Sequence, residues 1–429
     1  MSKRALVGLT ILGWLAAAPL AAQTGSDALI DALKNPSTRT RIDALHSLGD
    51  AARAEAVVPM AALLLDGNDD VQFAAIESLL KVYIVRADLA QRPWGVTAIG
   101  RTSTLPELAF EAGPLATIPA VVPGEVLVNL CSVMRQDESS RIRFAAAYAL
   151  GVLGAPAMGP MNASAQPMVI ADVVSGLTHQ DAATRQVIAR VAGRVFAPNE
   201  GASAPAAVGD ALITAMNDKD ALVRRWAMDS LGWMKFEHAI QALTDRASYY
   251  GKSEEGSAAL HGLARIASPG SGPVFRALLA SSAPTFRVIS IEGLARIGDR
   301  LAYPAIAESA MSARQVNVTM AAHLAAFLLS QTTDLMPLVA GLRNEETVIQ
   351  ARVYLAEVAE QKNVALYELL RSPEPWVRRG TAELLGTSRR PSEEPTLQLL
   401  LKDPAPEVIE AASEAIRRLR AYAAVAPAP

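Results

Sequence analysis

Five histidines, one cysteine and the tripeptide Gly251-Lys252-Ser253 are the residues of this 429-residue chain from which chemistry is most readily built. A metal centre needs ligands that converge, for example two histidines four apart on one helical face. His46, His179, His238, His261 and His323 are widely separated, and none is followed by a glutamate, so no metal and no other cofactor is expected. A phosphate-binding loop around Lys252 needs a glycine where Arg246 stands. The stretch "SPGSGP" lacks the Gly-x-Ser-x-Gly spacing of a nucleophile elbow. Cys131, in "EVLVNLCSVM", has apolar neighbours at helical spacing and reads as a buried structural thiol. No catalytic residue emerges, and the chain is expected not to be an enzyme.

Aromatic residues make a different suggestion. Trp226 and Trp233 lie seven residues apart with Asp229 between them, a spacing that puts all three on one side of a helix. Tryptophan is a preferred anchor at protein interfaces, so these rings either contact a partner or cover neighbouring helices. Tyr148 and Tyr354 occupy equivalent places in other segments. A mostly apolar stretch, residues 92–124, contains Trp94 and Phe110 and is expected to pack onto the rest of the chain or onto a partner.

What positions these side chains is a repeat. "HGLARIAS" at 261–268 returns as "EGLARIGD" at 292–299, and an anchor residue recurs at Thr40, Val71, Ile142, Thr184, Val223, Ala258, Ile289, Val318, Val348, Val377 and Val408. Four residues after the anchor stands a small residue in most units, with Ile188 and Arg352 the departures, and eight after it an apolar one. At about 100° per residue these positions form one buried stripe. Short apolar helices precede each anchor, and Asp, Asn, Ser or Pro in the intervening turns are helix-starting residues. Glycine nine residues after the anchor, as at Gly49, Gly151, Gly193, Gly232, Gly298 and Gly386, is expected to close the helix in a left-handed cap.

The pattern V-R-x-x-A-x-x-x-L-G after an acidic, proline-containing turn, as in "NDKDALVRRWAMDSLGW", resembles the short HEAT-like repeat first named for phycobilisome lyases. The resemblance implies an all-α, right-handed solenoid of about eleven helix-turn-helix units over residues 23–420, with the second helices lining a concave face. It also implies that Arg41, Arg143, Arg185, Arg224 and Arg378, one residue after their anchors, act as ladder residues bonded to acidic groups of adjacent turns. Deoxyhypusine hydroxylase, a related array, holds iron with His-Glu dipeptides, which this chain lacks.

Residues 1–22 pair Lys3 and Arg4 with an apolar run and small residues, the order of a secretory signal cleaved near Ala22. The alternative is an uncleaved anchor, the only membrane contact foreseen. An exported protein, periplasmic or secreted, is therefore expected, with a frayed tail over 421–429. The formal charge of −3 gives no electrostatic footprint for nucleic acid. On the stripe opposite the core, Asp43, Glu77, Asp229, Glu292, Glu383 and Glu414 stand against Arg190, which predicts an acidic concave face and a partner, protein or peptide, with a basic segment. The first functional expectation is a non-catalytic interaction scaffold in a bacterial envelope. Alternatives are a lyase-type or cofactor-chaperone enzyme with the inserted loops as a lid, and a structural subunit of an envelope complex.

Overall fold

The computed structural model describes residues 18–84, 104–113, 117–118, 120–156, 163–198, 203–344 and 346–425. Among these the chain is helical apart from one antiparallel bridge between Ile84 and Thr117. Contacts divide it into two units, Met1–Val82 and Tyr83–Pro429. The first holds two helix pairs, α1 (Ala18–Ala32) with α2 (Thr38–Asp50) and α3 (Val57–Ala62) with α4 (Asp69–Tyr83).

In the second unit α5 (Leu105–Ala112) stands outside the repeat. The pairs that follow are α6 (Gly124–Gln136) with α7 (Ser140–Leu153), α8 (Gln166–Gly176) with α9 (Ala182–Val195), α10 (Ala206–Ala215) with α11 (Ala221–Trp233), and α12 (Ile240–Tyr250) with α13 (Glu254–Ile266). Then come α14 (Gly272–Leu278) with α15 (Pro284–Arg296), α16 (Tyr303–Met311) with α17 (Val316–Leu328), and α18 (Met336–Ala340) with α19 (Val348–Lys362). A 3-10 stretch, Asn363–Arg371, pairs with α20 (Pro375–Gly386), and α21 (Glu394–Leu399) pairs with α22 (Pro406–Val425). Each unit stacks its own helix pairs, two in the first and nine in the second, and the fold is an all-α solenoid. Helix α22 continues past the tail boundary expected at 421, α1 begins inside the expected signal segment, and no described helix is long and apolar enough to cross a membrane.

Local chemistry starts the helices where the turns predicted. The Asp181 side chain accepts from the Ala183 and Thr184 amides, and Asp220 does the same for Leu222 and Val223, satisfying donors that the first turn leaves open. The five predicted ladder arginines share one geometry. Each directs Nη1 at two consecutive carbonyls of its own turn, as Arg185 does to His179 at 2.7 Å and Gln180 at 3.1 Å. The rest of the guanidinium takes an acid of the following turn: Arg41 takes Asp66, Arg143 takes Asp181, Arg185 takes Asp218, Arg224 takes Glu255 and Arg378 takes Asp403. One planar cation thus fixes the turn that precedes its helix and ties that layer to the next.

The glycine column does something other than expected. Of these six only Gly298 adopts a left-handed backbone, at φ 74°; after Gly49, Gly232 and Gly386 the left-handed residue is Ala52, Lys235 and Arg389, three positions later. The column is small because second helices touch there. A Cβ on Gly193 would lie 2.7 Å from the Ser230 Cα, on Gly232 2.8 Å from the Gly262 Cα, and on Gly386 2.7 Å from the Ala415 Cβ. Within the second unit, second helices pack against one another more closely than first helices do, which makes their row the inner face of that unit. At the fourth unit the buried Ile188 fills the small column because Gly176 on α8 leaves room for it.

Helix α19 is out of phase by one residue. Thr347, just ahead of it, and Ala351, Leu355 and Val358 are at most 1% exposed against 9% for Val348, so the anchor is Thr347 and not Val348. The Thr347 hydroxyl donates to the Gly341 carbonyl at 2.9 Å, which lets a polar residue hold an apolar place. Ala351 then falls in the small column, and Arg352 ceases to be an exception.

Two measurements follow from the ladder. Arg185→Ala strands a buried carboxylate and two carbonyls and is expected to cost about 3 kcal/mol, read as a lowered urea midpoint; an unchanged midpoint refutes the ladder's role. The hydrogen bond from Thr184, helped by Arg143 and opposed by burial, holds the Asp181 carboxyl down at about 2. An unfolded aspartate titrates near ~3.9, so the unfolded chain binds the proton first and Asp181 stabilises the fold fully above that value, losing its effect as pH falls through about 2. Asp181→Asn should therefore flatten the fall in urea midpoint over this window.

Candidate functional site on the inner face

Helix α5 lies across α7 and α9. Its Phe110 ring fills the notch left by Gly151, whose hypothetical Cβ would sit 2.7 Å from the ring and 3.2 Å from Val191. Tyr148 packs against that ring at 5.4 Å between centroids. Two arginines one helical turn apart on α9 hold the edge of the contact. The Arg194 guanidinium stacks 4.2 Å from the Phe110 centroid and donates to the Phe110 carbonyl; Arg190 sits at 5.4 Å and pairs with Glu111. Burial is the main influence on Arg194 and, with help from Arg190 and against Glu111, pushes it down to about 10, so it keeps its charge at neutral pH. Arg190 also donates to the Tyr148 hydroxyl at 3.0 Å and lies 4.7 Å over the Trp226 ring.

From Trp226 the chain of contacts passes along α11. The Trp233 indole N–H donates to Asp229 at 3.2 Å, and Arg265 of α13 pairs with the same carboxylate while lying 4.4 Å over the Trp233 ring. Gly232 and Gly262 bring the two backbones together and leave room for the Arg265 stem beside Gly232. Trp233 is 48% exposed, a large ring held in place by polar neighbours with its other side toward water. His261 stands on the same stripe; burial lowers its pKa, with Glu292 opposing, so it is neutral at neutral pH.

Further along, α15 and α19 exchange a second set of contacts. Arg296 donates through Nη1 to Glu292 at 3.1 Å and through Nε and Nη2 to Glu357, both at 2.9 Å. The Tyr354 hydroxyl donates to Glu292 and accepts from Gln350 at 2.6 Å. Burial, then the Glu292 charge, raises the Tyr354 pKa, which keeps that hydroxyl a donor.

The aromatic residues singled out in the sequence therefore separate. Trp226, Asp229 and Trp233 do share one face, joined through Arg190 to Tyr148 and Phe110. Phe110, 7% exposed, is spent on docking α5 to its own solenoid. Tyr354 is 1% exposed and not on open surface, because the one-residue phase of α19 turns it inward. Trp94 lies outside the described residues. The acidic face is corrected too: Asp43 pairs with Arg39, Asp229 with Arg265, Glu292 with Arg296, Glu383 with Arg379 and Glu414 with Arg418. Counting one helical stripe missed these cations, which come from neighbouring positions. A usable signal existed, since both copies of "GLARI" carry the arginine, as Arg265 and Arg296. Cys131 is buried and its thiol pKa is raised by that burial, which leaves it protonated.

Residues 170–249, from α8 to α12, match the family model described as HEAT repeats. Among curated proteins none matches the chain. Among solved structures it is similar to an engineered protein at 18% identity, covering 92% of this chain and 98% of that one with a TM-score of 0.39. Importin beta is similar at 16% identity over 92% of this chain and 57% of its own, with a TM-score of 0.44. YibA of Escherichia coli is similar at 15% identity over 77% of this chain and 100% of its own, with a TM-score of 0.39.

If Phe110 and Gly151 form the seat of α5, Gly151→Ala must push the ring out at a cost of about 1–3 kcal/mol. Hydrogen exchange at residues 105–112 is expected to quicken severalfold while α11 and α13 keep their protection. Unchanged exchange in α5 would refute the seat.

Proposed function

We propose that the chain is a non-catalytic scaffold that binds a protein or peptide segment on the inner face of its second unit, with Trp226, Asp229 and Trp233 at the centre. The observation that carries this reading is Trp233, half exposed yet oriented by Asp229 and Arg265, which pre-forms a rigid aromatic platform. Holding the ring before binding reduces the ordering cost of association. A cofactor site under α5 is less supported, since the Phe110 ring fills the space there.

The repeat pattern supports the short phycobilisome-lyase type of HEAT unit. Lys3, Arg4 and the apolar run after them support export, and with it the reading of a scaffold that meets its partner in a bacterial envelope. Five of the six carboxylates counted for a basic partner, all but Glu77, are already engaged by arginines, so the sign of the partner is taken from the geometry around Arg265.

Site-specific photocrosslinking in the producing cell tests the reading. A benzophenone side chain at position 233 is expected to crosslink the partner, and one at Leu301, 91% exposed in the lead-in to a first helix, is expected not to. Trp226→Ala with Asp229→Ala should reduce the crosslink at least about fivefold, the loss of roughly 1 kcal/mol or more expected for an anchor. Equal yields from positions 233 and 301 would sink the inner-face reading.

A further inference from the structure

Three arginines of the inner face, Arg190, Arg265 and Arg296, face different company. Arg296 spends Nη1 on the carboxylate of its own helix, Glu292, and its Nε/Nη2 edge on Glu357 from α19, which also delivers Tyr354 one helical turn earlier. Arg190 is met in a related way by α5, which delivers Phe110 and the adjacent Glu111. In both cases another helix of the chain supplies a glutamate to the arginine with an aromatic residue close to it in sequence: the Phe110 ring lies 5.4 Å from Arg190, and the Tyr354 hydroxyl bonds Glu292 beside Arg296.

Arg265 lies between them and repeats the lower half of the arrangement only. Its Nη1 takes Asp229 from the adjoining helix, as Arg296 takes Glu292, and its guanidinium stacks on Trp233. Among the described residues no glutamate from an overlying helix takes its Nε/Nη2 edge. The Arg265 side chain is correspondingly 28% exposed, against 12% for Arg296. The edge left over is the one that binds a carboxylate with two parallel hydrogen bonds.

We infer that the segment accepted at Arg265 is acidic and aromatic: a helix that presents a carboxylate to the Nε/Nη2 edge and, within one turn, an aromatic ring to Trp233. This rests on the inner-face reading above and reverses the charge that residue counting assigned to the partner. Two segments of the chain itself, α5 and α19, are the templates for it. The charge match is local. Asp229 already balances Arg265, and His261 beside it is neutral, so the gain comes from bidentate geometry and stacking and not from bulk attraction.

The probe is a fluorescein-labelled peptide of residues 347–359, which carries Tyr354 and Glu357, titrated against the full chain by fluorescence anisotropy. It is expected to bind, to bind about tenfold more weakly to Arg265→Glu, and to lose binding by a similar factor when its own glutamate is replaced (Glu357→Lys). The reversed peptide is expected to regain affinity for Arg265→Glu, a crossover that a generally weakened fold cannot produce. Arg265→Gln, checked for an unchanged thermal melt, guards against loss through misfolding and should weaken the native peptide without favouring the reversed one. Failure of the native peptide to bind, equal binding by Arg265→Glu, or preference of the wild-type chain for the lysine peptide overturns the inference. If position 233 still crosslinks a partner in any of those cases, the inner face stands as the interface and only the chemistry assigned to its occupant falls.

Discussion

An arginine at the fourth position of the second helix is the interaction on which five of the layers depend. Its guanidinium is planar and multiply donating, so a single side chain bonds two carbonyls of its own turn and still reaches the carboxylate of the next layer, as Arg185 does with Asp218. Turns are where a solenoid exposes backbone acceptors that no helix satisfies. By closing them from the side, the arginine lets short helices end cleanly and keeps successive layers in step. Lysine could carry the charge but not the forked geometry.

Inside the array, volume is traded between partners. Where Ile188 enlarges one wall, Gly176 shrinks the other, and where second helices approach most closely the position belongs to glycine on one or both sides, as at Gly232 and Gly262. Dense packing makes such exchanges obligatory. Their effect on function is indirect: the bare backbones at Gly232 and Gly262 leave the space in which Arg265 lies alongside α11 and reaches Trp233.

Periodicity made the helix pairs, the buried stripe and the ladder arginines legible before any coordinates, because each is set by local spacing of 3.6 residues and by turn chemistry. Tyr354 shows where that stops. A one-residue shift in phase, permitted by the Thr347 hydroxyl, changes a side chain's direction by about 100° and moved it from the expected open face to the interior. The glycine column was visible but its purpose was not, since a cap and a close contact ask for the same residue. The acidic face failed for a related reason: charge on one stripe says nothing about arginines four residues away on the same helix or, for Arg265, on the next helix. Trp226 and Trp233 were found because two large rings at a seven-residue interval are rare on any surface, whereas Arg265 was passed over inside a motif that had been read for its apolar residues.

Layers as alike as these invite a particular error during folding, in which a newly formed pair docks on the wrong neighbour and the whole chain is out by one repeat. Helix α19 resists it: its shifted phase fits against Gly341 and the side chains of Glu292 and Arg296, and docked anywhere else its Tyr354 hydroxyl would lose the Glu292 acceptor. The irregular layer thus acts as an address in an otherwise repetitive sequence. An array assembled one position astray would be recognised by the chain itself, through a buried phenol deprived of its carboxylate acceptor and a buried guanidinium deprived of one of its two carboxylates.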